Sequence, residues 1–357
     1  MTFLVFIIHS GMAQNTSTCR NILLKTHETA GLSYQFQSMS PKEGDSKNYQ
    51  MLAIPIQARY EHSRYVTYTM RYSMGHQSFA GDGLFTFSNL DLGVRVLSGE
   101  KMTYIGELSL PVGSEKFKRD ELNAASAGRL PFVNAPLIYK ASGMGLKLGA
   151  SYGTQMNENT SIAVGARYSV RGSYTPIKDG AKYNPSDELM IAAGIDYGDE
   201  ASAGFLGDLQ VSLYSDEKVD GETYSDPGIG FAFSGDVFIK RLTLNLLLYK
   251  RGESDLSYAG EFKPPSIFRF KLAHKDVWDF ILITFSKPVL PYIGFLKTGE
   301  GTLVDGASLF LLGASVGDVT YNDFPLSPYF EIGFGKIGDE TSTFGLKIGT
   351  DVAFQVY

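Results

Sequence analysis

The chain is 357 residues long and sets 32 Lys+Arg against 38 Asp+Glu, a formal net charge of −6, with 39 Gly, 21 Tyr, 24 Phe, one Trp and one Cys. The acidic balance argues against nucleic-acid binding, which needs a basic field, and one cysteine excludes an internal disulfide framework and any multi-cysteine metal site. No apolar run approaches the ~18 residues of a transmembrane helix, and much Gly, Tyr and Phe with little Cys points to a β-rich chain.

The amino terminus reads as an export signal. Phe3-Leu4-Val5-Phe6-Ile7-Ile8 is a compact apolar run, and Gly11 and Ala13 stand at the −3 and −1 positions of a cut after Ala13. The basic n-region of such a signal is missing. Residues 1–13 are expected to be a signal peptide, 14–28 a short leading segment, and 29–357 one barrel. Cys19 follows Thr16-Ser17-Thr18, which lacks the Leu and the Gly or Ala of a lipoprotein signal, so it reads as an incidental thiol.

From residue 29 onward the pattern has a period of two. Segment 86–98 places Leu90, Leu92, Val94 and Val96 on one parity, and 101–112 places Met102, Tyr104, Leu108, Leu110 and Val112 there. In 160–171, Ile162, Val164, Ala166, Tyr168 and Val170 alternate with Ser161, Ala163, Gly165, Arg167, Ser169 and Arg171. Segments 187–198 (Leu189, Ile191, Ala193, Ile195, Tyr197) and 343–356 (Phe344, Leu346, Ile348, Val352, Phe354, Val356) read alike. Successive side chains alternate across a pleated strand, so each segment is a strand with one apolar face. No stretch keeps a 3.6 period. The fold class is all-β.

A soluble sandwich and a membrane barrel share this alternation, and three features favour the barrel. Strands of ~10 residues recur, long for a soluble sheet and right for a tilted membrane span. Connections alternate in length. Short turns fall at His62-Ser63, Gly99-Glu100, Asn157-Glu158, Asp199-Glu200 and Lys240-Arg241, with long polar segments near 39–50, 76–85, 113–139, 172–186, 215–227 and 251–266 between them. Aromatics also crowd strand ends at Tyr60, Tyr72, Tyr152, Tyr168, Tyr197, Tyr214 and Tyr249, the level at which amphipathic rings meet lipid headgroups. Taken one by one, the alternating segments number 17, against the even count of bacterial barrels. Fusing 267–286 into one bulged strand leaves a single transmembrane antiparallel up-and-down β-barrel of about 16 strands (range 14–18).

With these features in place, the chain resembles Gram-negative outer-membrane β-barrel proteins, in the broad porin and hydrocarbon-transporter sense, over residues 29–357. The resemblance is one of architecture and implies residence in the bacterial outer membrane, contact with its lipid, and recognition of the last strand by the barrel-assembly machinery. Such chains end on an aromatic residue, as this one does in Phe354-Gln355-Val356-Tyr357, although Tyr357 departs from the family pattern by falling on the polar parity.

A lipid-facing charge costs about 2–4 kcal/mol at the midplane, so the charged parity is assigned to the lumen. It carries Arg71, Asp91, Arg95, Glu107, Lys147, Arg167, Glu188, Asp196, Asp208, Asp236, Glu331, Lys347 and Asp351. In general porins the third long loop folds inward. By that resemblance Lys116, Lys118, Arg119, Asp120 and Glu121 are candidate constriction residues. His27, His62, His76 and His274 stand apart, and no nucleophile motif, phosphate loop or metal-ligand spacing accompanies them. The reading is of no enzyme, no cofactor and no metal.

The function expected is a passive diffusion channel for small solutes through a charged lumen. One alternative is a transporter of hydrophobic molecules of fatty-acid or aromatic-hydrocarbon type. The other is a structural or adhesive surface barrel with a closed lumen. Substrate, ion preference and oligomeric state are not written in the sequence.

Overall fold

The structure is a computed structural model and describes residues 27–41, 45–99, 101–113, 116–118, 121, 143–178, 180–199, 203–256, 260–262, 264–274, 279–280, 283–284, 289–300, 306–316, 319–321 and 324–354. The proposed signal peptide, Cys19 and the terminal Tyr357 lie outside these residues.

Among the described residues, sixteen antiparallel strands form one closed barrel. They are β1 (His27–Pro41), β2 (Lys47–Ser63), β3 (Val66–Phe79), β4 (Leu90–Ser98), β5 (Met102–Leu110), β6 (Gly145–Asn157), β7 (Thr160–Arg171) and β8 (Glu188–Asp199). The circuit continues with β9 (Ala203–Tyr214), β10 (Gly230–Ile239), β11 (Leu242–Arg251), β12 (Ile267–His274), β13 (Val289–Thr298), β14 (Ala307–Val316), β15 (Phe324–Ile337) and β16 (Thr341–Phe354). Each strand pairs with the next, and β1 pairs with β16 from Glu28↔Phe354 to Pro41↔Thr341, which closes the ring. Two short strands, Asp82–Phe87 and Val319–Tyr321, add to β3 and β15. The first strand starts at His27 rather than at 29.

The convex wall is the apolar parity. Leu148, Ile191, Leu209, Ile293 and Phe310 are each more than half exposed. A soluble fold would bury such residues; here they coat the outside, as hydrocarbon contact requires. Tyr60, Tyr68, Tyr104, Tyr152 and Tyr197 are exposed near the short-turn ends of their strands, and Tyr60 stacks on Tyr68 at 6.3 Å. Tyr72 stacks on Phe87, and Tyr168 is exposed towards the long-loop end. Tyr214 and Tyr249 do not join this belt. Tyr214 shares its parity with the buried Asp208, Gln210 and Ser212, and Tyr249 shares its own with the buried Leu247, so both rings point inward.

The repair at 267–286 gives the right strand number but the wrong strand. β12 stops at His274, where His274-Lys275-Asp276 breaks the alternation. Beyond it, Asp279–Phe280 and Ile283–Thr284 form a separate small hairpin before β13.

At the other end of the barrel the long connections knit together. Tyr183–Asn184, Glu217–Val219, Glu222–Asp226, Ser254–Leu256 and Gly260–Phe262 form a five-stranded antiparallel sheet drawn from three successive loops. Its central hairpin turns on Asp220-Gly221, with φ of 50° and 91°. Two consecutive left-handed residues make the turn whose twist matches the flanking strands, and the Asp-Gly pair suits it.

Candidate functional site: the inner wall

Side chains of non-adjacent strands meet only on the concave side of a barrel, and two charged clusters do so here. In the first, Arg71 on β3 and Lys147 on β6 both donate to Glu107 on β5, one to each carboxylate oxygen. The first of these contacts passes over β4. Asp91 on β4 lies 4.0 Å from the Arg71 guanidinium and accepts a 2.5 Å bond from the Ser109 hydroxyl. Further round, Glu188 on β8 is 0% exposed and accepts from Arg171 Nη2 at 3.0 Å and from Ser212 Oγ at 2.8 Å. Then comes Arg251, whose guanidinium lies 4.4 Å from the centre of the Tyr214 ring and 3.7 Å from Glu217 of the loop sheet.

The second cluster crosses two strands. Lys271 on β12 donates to Glu331 on β15 at 2.8 Å, and Tyr292 on β13 donates to the same oxygen at 2.6 Å. Glycine makes the reach possible. Tyr292 pairs with Gly313 on β14, and any Cβ at Gly313 would collide with the Tyr292 ring. Gly349 on β16 gives the Tyr329 ring the same clearance, and Lys347 lies 5.6 Å from that ring. Glu331 pairs across the ladder with Lys347.

The remaining residues expected on this wall are placed as follows. Arg95 on β4 is part-buried, in the field of Arg59 on β2. Asp196 on β8 is part-buried opposite Ser161 and Leu206. Asp208 is buried beside Gly194, where an added Cβ would sit 2.7 Å from its Oδ1. Asp236 accepts a 2.6 Å bond from the Asn245 amide. Asp351 holds a position in β16 opposite Gly31 and Ser327. Sequence reasoning missed Lys271, Tyr292 and Asn245, and left Arg171 off the list although it sits on the polar parity. For Lys271 the signal was present: Arg269 and Lys271 alternate with Phe268, Phe270 and Leu272.

Not every inward position is polar. Towards the long-loop ends of β13, β14, β15, β1 and β2, the inner wall turns apolar. Met39, Tyr49, Met51, Leu296, Leu309, Leu311 and Ile337 form one buried cluster with Ala53 and Ala307. None of the charged residues expected on the inner wall falls within this cluster. β14 shows why in its sequence, since Leu309-Phe310-Leu311-Leu312 is apolar on both faces.

The third long loop reaches this end too. Phe117 is 1% exposed and packs on Leu84, the cross-strand partner of the buried, inward Gln77. Its amide donates to the Pro176 carbonyl at 3.0 Å, and the Lys178 amide donates to its carbonyl at 3.0 Å. Lys116 and Lys118 flank it, both exposed, and the Lys118 amide donates to Glu121 Oε2 at 2.8 Å. Arg119 and Asp120 lie outside the described residues.

No family model and no curated protein matches the chain. Among solved structures, the high-pH structure of OprB from Pseudomonas putida is similar at TM-score 0.55 and 8% identity, over 97% of this chain and 97% of that one. The CymD monoaromatic hydrocarbon channel matches at TM-score 0.43 and 10% identity, covering 98% of this chain and 93% of its own. A mutant of Rh. blastica porin matches at TM-score 0.40 and 12% identity, covering 92% and 100%. At 8% identity the likeness to OprB is one of barrel fold alone.

Proposed function

We propose that the protein is a bacterial outer-membrane channel through which small polar solutes diffuse without an energy source, along the charged side of its lumen. The observation that carries this reading is the contrast between the two faces. Leu, Ile and Phe stand exposed on the convex wall, while on the concave one Arg71 reaches Glu107 and Lys271 reaches Glu331 across intervening strands, and Lys147 joins Glu107 from the neighbouring strand. A ring of about 16 strands is too wide for side chains to fill. No chemistry is assigned to the protein. The third loop acts as a constriction in this reading, supported by Phe117, which ties it from the β3 hairpin to the loop after β7. Outer-membrane lipid and, through β16, the barrel-assembly machinery are the macroscopic partners.

The inward apolar cluster of β13 to β2 favours a second reading, a carrier of hydrophobic molecules. Purified protein in a planar bilayer separates the two. Stepwise currents of stable size support the diffusion channel. Silence together with binding of a fatty acid or an aromatic hydrocarbon supports the second. Silence with no ligand supports a closed structural barrel.

A further inference from the structure

We propose that Arg167 and Ser169 on β7 form an oxyanion subsite on the inner wall, recognising the carboxylate, sulfate or phosphate group of a small solute. The inference deepens the channel reading and rests on it for the solute's access to this wall.

The ladder brings one row of inward side chains together: Glu107 opposite Lys147, Lys147 opposite Ser169, Ser169 opposite Glu188. Both carboxylates in this row are already engaged at both oxygens. Glu107 accepts from Lys147 and Arg71, and Glu188 accepts from Ser212 and Arg171. Arg167 stands between them, in the field of both, yet hydrogen-bonds to neither. Its Nε and Nη2 are buried without an acceptor. Ser169 is 1% exposed, and its hydroxyl also lacks a partner.

Buried polar groups are nearly always paired, because an unmade bond leaves the cost of taking the group out of water uncompensated. Two such orphans on one strand face, two residues and so about 7 Å apart, point to a group that the protein does not itself supply. Charge identifies its sign: the orphaned atoms of Arg167 are donors on a cation, and a charge-assisted bond to an anion is the strongest partner they can take. A planar guanidinium fork fits an oxyanion in two-point fashion, and a neighbouring hydroxyl supplies a further donor. The side chain has room to lie towards this row because its ladder partner is Gly149, where an added Cβ would sit 3.3 Å from the Arg167 Cβ and 3.4 Å from its Cγ.

The test is titration calorimetry of the full barrel in detergent with sodium phosphate, sulfate or acetate, beside phosphate block of chloride current in bilayers. Saturable binding of at least one of the three anions by the wild type is expected. Arg167→Gln should weaken it about 10-fold or more, Arg167→Lys less, and Ser169→Ala a few-fold. Folding of each variant is checked by its retained heat-modifiable gel shift, and Ser169→Ala serves if Arg167→Gln does not fold. Which anion binds best tells a tetrahedral from a planar ligand. An absence of saturable binding, or affinities unchanged in the folded variants, overturns the subsite. Binding without any current leaves the subsite standing and removes the channel reading instead.

Discussion

Glu331 shows how an inner-wall charge is tolerated. Removing one member of a buried pair strands the other, at about 3–5 kcal/mol, whereas replacing both with apolar residues is far cheaper. Lys271→Met is accordingly expected to lower the stability of the folded barrel by about 3 kcal/mol, since Tyr292 still donates to the carboxylate. The double variant Lys271→Met/Glu331→Leu should recover most of that, read from the urea midpoint in detergent. Gly313→Val should cost about 1–3 kcal/mol through collision with the Tyr292 ring. Adding Tyr292→Ala should return only the part due to the ring, because the Phe330 carbonyl would still lie 2.6 Å from the new Cβ. Period two was enough to place Arg71, Glu107 and Lys147 on one face. It could not say which of them meet, because barrel radius and stagger decide whether β3 reaches β5 or β12 reaches β15. Lys271 went unassigned although its alternation with Phe270 and Leu272 placed it on the same face. Tyr214 and Tyr249 were misplaced because position near a strand end was weighed above parity.

At the scale of elements, the loops gain order from one another. Phe117 anchors 116–118, and tyrosines hold the loop sheet: Tyr174 and Tyr183 meet edge-on at 5.6 Å. Phe117→Ala should free this segment, so trypsin should cut after Lys116 or Lys118 several-fold faster than in the wild type, and single-channel current should rise. Burial, followed by the carboxylate of Glu217, pushes the Tyr183 phenol up from its ordinary value of about 10. For a raised group, the stabilising contribution is fully present below the ordinary value and is lost only as pH climbs through the raised one. Trypsin resistance of the loop sheet should therefore hold unchanged from pH 8 to pH 10. The long connections were not legible near 39–50 and 76–85, where strands run on to Pro41 and Phe79 and resume at Lys47 and Asp82, but those near 113–139, 172–186, 215–227 and 251–266 were legible from polar runs. Their assembly into one sheet was not, since strands of two to five residues leave no period to read.

At the scale of the whole molecule, the wall is inside out relative to a soluble protein. Ile191 faces outward mid-strand and is 52% exposed, so Ile191→Arg should destabilise the barrel by about 2–4 kcal/mol in lipid. The same change in detergent micelles, which deform around a charge, should cost less; parallel unfolding in vesicles and micelles measures both. All-β class and barrel closure followed from strand length and alternation. The apolar sector of the inner wall did not, because Leu309 and Leu311 look no different in sequence from the lipid-facing Phe310 and Leu312.

The seam between β1 and β16 also has a consequence in time. It joins segments more than three hundred positions apart, and the Thr343 hydroxyl even donates to the Ser38 carbonyl across it at 2.9 Å. Every nascent intermediate lacking the last strand carries two bare edges, each a template for illicit pairing with another chain. Completion is thus a late, slow event dominated by long-range loop entropy, and chains shortened before residue 341 should accumulate as aggregates rather than as smaller barrels.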